Sequence, residues 1–194
     1  MTNPQSTASR HISTAAGLTS RPTTIHHSRL IQGRHFFISD DQSLISIPFV
    51  NQAFSSEAMH WAQPFDVETT KTLLRNSTTL GLYAVLDSGT DEGQANLRHK
   101  KIGLARFITD TVTFAYLTDV FVSPDFRGLG LGKWLVECCG KFVDGMVGLR
   151  QTMLLTSRME LARVMYGEGM GMEVLKQGEG GLWVMKKGKG RVGR

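Results

Sequence analysis

Apolar and polar positions fall into a regular pattern only from about Leu30 onward, and order is expected to begin there. The stretch His35-Phe36-Phe37-Ile38-Ser39 reads as a short first strand. Ile47–Ala62 and Asp66–Arg75 carry apolar residues at helical spacing, with Pro48 and Pro64 near their starts. Leu80–Leu86 reads as a strand, followed by the polar, glycine-containing loop Asp87–Lys100. Lys101–Ile108 and Thr113–Val122 read as two further strands joined by the turn Thr109-Asp110-Thr111. After Pro124 the period changes: Leu131, Trp134, Leu135, Cys138 and Phe142 recur at helical spacing. Met153–Thr156 is a short buried strand and Met159–Tyr166 a helix that ends in glycines. Met172–Leu175 and Leu182–Met185 make a final hairpin. No segment repeats. The pattern predicts one α+β domain, a mixed, mostly antiparallel sheet with helices on both faces and one strand–loop–helix crossover at its centre.

Composition sets the limits of that domain. A chain of 194 residues with 41% hydrophobic content suffices for one core, and no apolar run approaches a membrane span. Charge is unevenly placed. Residues 1–39 carry Arg10, Arg21, Arg29 and Arg34 and no acid; residues 186–194 carry five cations and no acid. Setting those nine apart from the 22 basic residues leaves 13 against 17 acids, so segment 40–185 stands at about −4. The expected organisation is a disordered Ser/Thr-rich extension over 1–30, a domain over 31–187 and a flexible basic tail over 188–194. The basic ends leave an association with nucleic acid open, but no aromatic residues interleave with the charges. The Arg-containing, acid-free extension also resembles a mitochondrial transit peptide, although Pro4 and Pro22 interrupt it; a cytoplasmic protein is the first expectation. Two adjacent cysteines, Cys138 and Cys139, give no disulfide framework, and the six histidines fall at no metal-ligand spacing.

The chemistry concentrates in Asp119-Val120-Phe121-Val122-Ser123-Pro124-Asp125-Phe126-Arg127-Gly128-Leu129-Gly130-Leu131-Gly132-Lys133. A buried strand leads through a turn and three alternating glycines into an amphipathic helix. The first turn of a helix leaves backbone N–H groups unpaired and gathers partial positive charge. Glycines let an anion approach that backbone closely. Residues 127–133 therefore predict a phosphate or pyrophosphate site, with Arg127 and Lys133 as supplementary cations. The nucleotide-triphosphate loop requires G-x-x-x-x-G-K-[ST], and Trp134 after Gly132-Lys133 breaks it. The dinucleotide fingerprint fits poorly as well: the third glycine comes one residue early, after antiparallel strands.

Arg127-Gly128-Leu129-Gly130-Leu131-Gly132 matches R/Q-x-x-G-x-G/A. With the strand Val120-Phe121-Val122 and its exit Ser123-Pro124, this stretch resembles the pyrophosphate motif of the GNAT superfamily of N-acetyltransferases. The resemblance covers roughly residues 35–185. It implies the GNAT-like acyl-CoA acyltransferase fold, whose sheet is splayed at its centre, and acetyl-CoA as cosubstrate, without a metal. It places the pyrophosphate on Arg127, Gly128, Leu129, Gly130, Leu131, Gly132 and Lys133, and the pantetheine arm along Val120, Phe121 and Val122. It implies direct attack by a primary amine in a ternary complex, with a backbone N–H of Val120 or Phe121 facing the oxyanion.

One side-chain role follows from the same resemblance, and a second from the place of Asp119 in its strand. Tyr166 is the candidate proton donor to the leaving thiolate. The family pattern sets Tyr, three residues, Gly and an aromatic, whereas here Gly169 and Gly171 fall three and five residues after Tyr166. A packing tyrosine is the alternative. Asp119, charged in an apolar strand just before the oxyanion donors, is the candidate base; a structural carboxylate is the alternative, and Glu168 or water other bases. The acceptor is expected to be a small-molecule or peptide amine, and an acidic body suits a cationic one. The shifted glycines keep a non-catalytic acyl-CoA-binding module in view. Neither the sequence nor the resemblance sets an oligomeric state.

Overall fold

Eight strands form one sheet in the order β1-β2-β3-β4-β5-β6-β8-β7 in the computed structural model, which describes residues 26–86, 98–178 and 181–188. Along the chain these are β1 (His26–Ile31), β2 (Arg34–Ser39), β3 (Thr78–Val85), β4 (His99–Thr109), β5 (Phe114–Val122), β6 (Gln151–Thr156), β7 (Glu173–Gln177) and β8 (Trp183–Gly188). The helices are α1 (Ile47–Phe54), α2 (Val67–Arg75), α3 (Leu131–Asp144) and α4 (Met159–Ala162), which continues as a π-helical segment over Arg163–Glu168. Every neighbouring pair is antiparallel except β5–β6. That parallel pair is short, joining only Phe114–Tyr116 to Gln151–Met153. Beyond it β5 and β6 separate, so the sheet is splayed at its centre, as the α+β prediction with its GNAT-like fold requires.

Hydrophobic burial on both faces holds the sheet. One core joins Phe36, Ile38, Leu80, Leu82 and Phe107 of the sheet to Leu131, Leu135, Cys139 and Val143 of α3. The other face carries a smaller core of Val50, Ala53, Phe54, Met59, Leu74, Leu104 and Phe121 under α1 and α2. Both cysteines are buried and unpaired, and burial pushes the Cys138 thiol up to about 11.

The structure differs from the sequence pattern at two elements. β1 begins at His26, inside the stretch expected to be an extension. An edge strand shows no clean alternation when nearly all of it is exposed. It is held by six residue pairs with β2 and by Arg29, which meets Glu137 at 2.9 Å and lies 5.1 Å over the Trp134 ring. The helix expected over Ile47–Ala62 stops at Phe54. Ser55 takes the Asn51 carbonyl with its hydroxyl, and a single 3-10 turn over Glu57–Met59 then buries Met59. Residues 1–25, 87–97 and 189–194, which hold most of the expected extension, loop and tail, lie outside the described residues.

Lys101 on β4 is 7% exposed, and its ammonium nitrogen has no hydrogen-bond partner among the described residues. It lies 5.7 Å and 5.8 Å from the Tyr83 and Phe49 rings, and burial pulls its pKa down to about 7. In the unfolded chain the same amine titrates near its ordinary 10.5. The native state therefore binds fewer protons between pH 7 and 10.5, so the stability penalty grows as pH falls through that window and is fully present below 7. Lys101→Met, which keeps the stem and removes the charge, is expected to stabilise the fold by roughly 2–4 kcal/mol at pH 6. The gain should vanish near pH 10.5, as urea unfolding across this range would measure.

Candidate active site

The glycine-rich stretch lies where β5 leaves the sheet. Pro124–Phe126 form one 3-10 turn, and Phe126 is buried. Gly128 and Gly130 then adopt φ of +80° and +73°, left-handed values that side chains with a Cβ rarely take. No atom stands within 4 Å of a Cβ built on either glycine, so backbone shape and not crowding requires them. Gly130 caps α3, a helix of 14 residues, and no side chain bonds the N–H groups of its first turn at the cap. Gly132 lies within that turn, and a Cβ there would meet Met165 at 3.6 Å and Val122 at 3.9 Å. The loop, the end of β5 and the π-helical segment thus converge at one point. Arg127 donates from Nε to the Val122 carbonyl at 3.1 Å, tying the loop to the strand. Lys133 bridges Glu168 at 2.9 Å, and this pair is exposed at both ends. Leu131 is buried under the loop and Leu129 packs on the same core.

β5 is irregular where it leaves β6. Leu104 pairs with Phe121 but Arg106 with Thr118, so Asp119 and Val120 together face the single residue Ala105. Asp119 takes the left-handed value of +53°, making this a β-bulge that bends the strand. The bulge exchanges the two faces. Ala115 and Leu117 point into the larger core before it, whereas Phe121 enters the smaller core after it.

Both oxygens of the Asp119 carboxylate are engaged. Oδ2 accepts from Arg106 Nε at 2.7 Å, and Oδ1 accepts from the Thr118 hydroxyl at 3.1 Å and the Trp61 indole N–H at 3.4 Å. The side chains of Asp119 and Arg106 are 5% and 12% exposed, so the pair is desolvated. Tyr116 stands close enough for the Asp119 charge to raise its phenol after burial has done so. Tyr166 lies in the π-helical segment, packed against the larger core beside Cys139. Burial first, and the Cys139 thiol second, push its phenol up to about 12, so it stays protonated at neutral pH. A shallow hollow of about 430 Å³ beside α3, lined by Glu137, Lys141, Glu168 and Lys187 among others, contains none of the β5 or loop residues.

The model of the acetyltransferase (GNAT) domain matches residues 90–171, which include β4, β5, α3, β6 and the π-helical segment. A candidate acetyltransferase of Gibberella zeae is 32% identical over 151 residues, which are 75% of this chain and 83% of that protein. The chain belongs to the GNAT family of acetyltransferases. Among solved structures, a candidate GNAT-family acetyltransferase from Xanthomonas campestris is 29% identical, with a TM-score of 0.51 over 69% of this chain and 83% of that one. A GNAT-family acetyltransferase from Elizabethkingia anophelis with acetyl-CoA bound shares the fold at 11% identity, with a TM-score of 0.50 over 79% of this chain and 98% of that one.

Against the GNAT pattern of Tyr, three residues and Gly, the helix end here carries one additional residue before Gly171. A π turn is a helical turn that takes up one extra residue, and Arg163–Glu168 is such a segment. The helix then closes in an ordered way. Gly171 takes φ of +67° and donates to the Gly167 carbonyl, Met172 donates to the Tyr166 carbonyl at 3.1 Å, and the Met172 side chain is buried. Methionine stands where the pattern has an aromatic residue.

The fold brings Val120–Val122, Arg127, Gly128–Lys133 and the Met165–Glu168 segment to one end of β5, with Asp119 on the opposite face of the bulge. The sequence reading missed Arg106 and Trp61. A signal for Arg106 existed: it is the one charged residue within Ile102–Ile108, and it lies across a hairpin from the equally isolated Asp119. Trp61 gave none, because it reads as a continuation of the α1 periodicity.

Proposed function

We propose that this GNAT-family protein transfers the acetyl group of acetyl-CoA to a primary amine, with both substrates bound together and no covalent enzyme intermediate. The observation that carries the reading is the left-handed Gly128–Gly130 loop opening α3 beside the end of β5 that has no β6 partner. Bound acetyl-CoA supplies a thioester that an amine nitrogen attacks, and the carbon–sulfur bond breaks as the amide forms. The N–H groups of residues 128–132 suit its pyrophosphate, since that of Arg127 already donates to the Pro124 carbonyl at 3.1 Å; the positive end of α3 and the Arg127 and Lys133 side chains assist. The edge of β5 from Val120 to Val122 is left without a β6 partner and suits an extended chain as an added strand. The N–H of Val120 or Phe121 faces the developing oxyanion.

Tyr166 gives its phenolic proton to the leaving sulfur. The π turn supports this role, because it absorbs the residue that otherwise shifts the helix end. Asp119 acts as a positioning residue: its oxygens are occupied by Arg106, Thr118 and Trp61, and it holds the bulge that sets Val120. Glu168 is bound to Lys133, which leaves water as the acceptor of the amine proton. The acetyl-CoA held by the Elizabethkingia anophelis protein of the same fold supports the cosubstrate. The test is mass spectrometry of a panel of primary amines incubated with the protein and acetyl-CoA. One added acetyl group on an amine, absent without the protein, supports the proposal. Deacylation to acetate with every amine unchanged overturns it.

A further inference from the structure

The connection between α1 and α2 exposes large apolar side chains in an unusual way. Trp61, Phe65 and Val67 are 56%, 45% and 53% exposed within seven residues. The segment beneath them is built, not loose. Met59 is buried at its base, and the Asn51 carboxamide clamps Phe65 by donating to its carbonyl at 2.7 Å and accepting from its N–H at 3.2 Å. Trp61 is fixed by its polar edge, since its N–H reaches Asp119 Oδ1, and His60 meets its ring edge-on at 5.0 Å. A half-exposed indole is thus held by its N–H edge beside the bulge that carries Val120. An indole that gives its N–H to a carboxylate gains electron density on its ring, which strengthens its attraction for a cation. Charge points the same way: from His35 to Thr70 the chain has five acidic residues and neither Lys nor Arg.

We infer that Trp61 recognises the acceptor, and that the acceptor is a primary amine carrying a second cationic group, which lies on the exposed indole face while the first amine reacts. The inference rests on the amine-transfer reading above, because the reacting nitrogen must be neutral and the recognised charge must therefore be another one. An ammonium over a tryptophan half shielded from water is worth about tenfold in affinity.

The experiment uses the full chain loaded with CoA and a homologous series of α,ω-diamines, each set against the alkylamine of the same chain length. Calorimetry measures binding, and acetylation is followed in parallel with acetyl-CoA. The wild-type protein is expected to prefer at least one diamine over its alkylamine by about tenfold. Trp61→Ala should abolish the preference, and Trp61→Phe should keep part of it. A preference that survives Trp61→Ala, an equal loss for diamine and alkylamine, or no preference in the wild-type protein overturns the inference. Selective diamine binding without acetylation would sink the transfer reading and leave Trp61 as the cation site. Acetylation without diamine selectivity would do the reverse.

Discussion

A Gly130→Glu protein is expected to fold and to lose CoA binding by at least ~100-fold. Two effects act together. Gly130 holds φ of +73°, and a residue with a Cβ in that region costs roughly 1–2 kcal/mol. The new carboxylate also enters the first turn of α3, where the helix gathers positive charge and the pyrophosphate is proposed to lie. No atom stands within 4 Å of the position its Cβ would take, so crowding should not unfold the protein. Gly130→Asn separates the two effects, since asparagine tolerates the left-handed region and carries no charge. It should keep most of the affinity. Calorimetry with CoA, alongside circular dichroism, reads both variants. Unchanged affinity in folded Gly130→Glu would remove the pyrophosphate from this loop.

Tyr166→Phe is expected to lower kcat by something like 10²–10⁴-fold, the range of general acid–base catalysis, with acetyl-CoA affinity nearly unchanged. Phenylalanine keeps the ring that packs beside Cys139 and removes only the proton. That proton is firmly held, because burial pushes the phenol up to about 12, and it is available to a thiolate leaving group. The π-helical segment around Tyr166 makes a structural role a real alternative, so thermal stability must be measured in the same variant. A loss of stability with kcat within about threefold of the parent, and with chemistry rate-limiting, would make Tyr166 a core residue. Another group or water would then protonate the sulfur.

The sequence made the centre of this molecule legible and left its edges obscure. β3, β4, β5 and α3 are half-buried or buried, and their side chains therefore alternate or recur as the core demands. Gly128 and Gly130 stood out because a left-handed backbone beside a helix start admits few other residues. β1 was missed because an edge strand answers to backbone pairing and to Arg29, neither of which leaves a hydrophobic period. The bulge at Asp119 was illegible for a different reason. It depends on a register shift against β4, and an isolated acid in a strand reads the same whether it meets solvent, substrate or Arg106. The expected base is consequently an ion-paired carboxylate. The π turn was half visible, since the additional residue before Gly171 could be counted, but how the helix would absorb it could not.

Thiol release from acetyl-CoA tests the central claim most directly. The protein is mixed with acetyl-CoA, and free thiol is followed with and without a primary amine over the neutral to alkaline range. The account predicts slow release alone and faster release that saturates with a suitable amine, with one acetylated amine formed per thiol. Tight acetyl-CoA binding with release that no amine accelerates would contradict it, and would make this GNAT-family member an acyl-CoA-binding module.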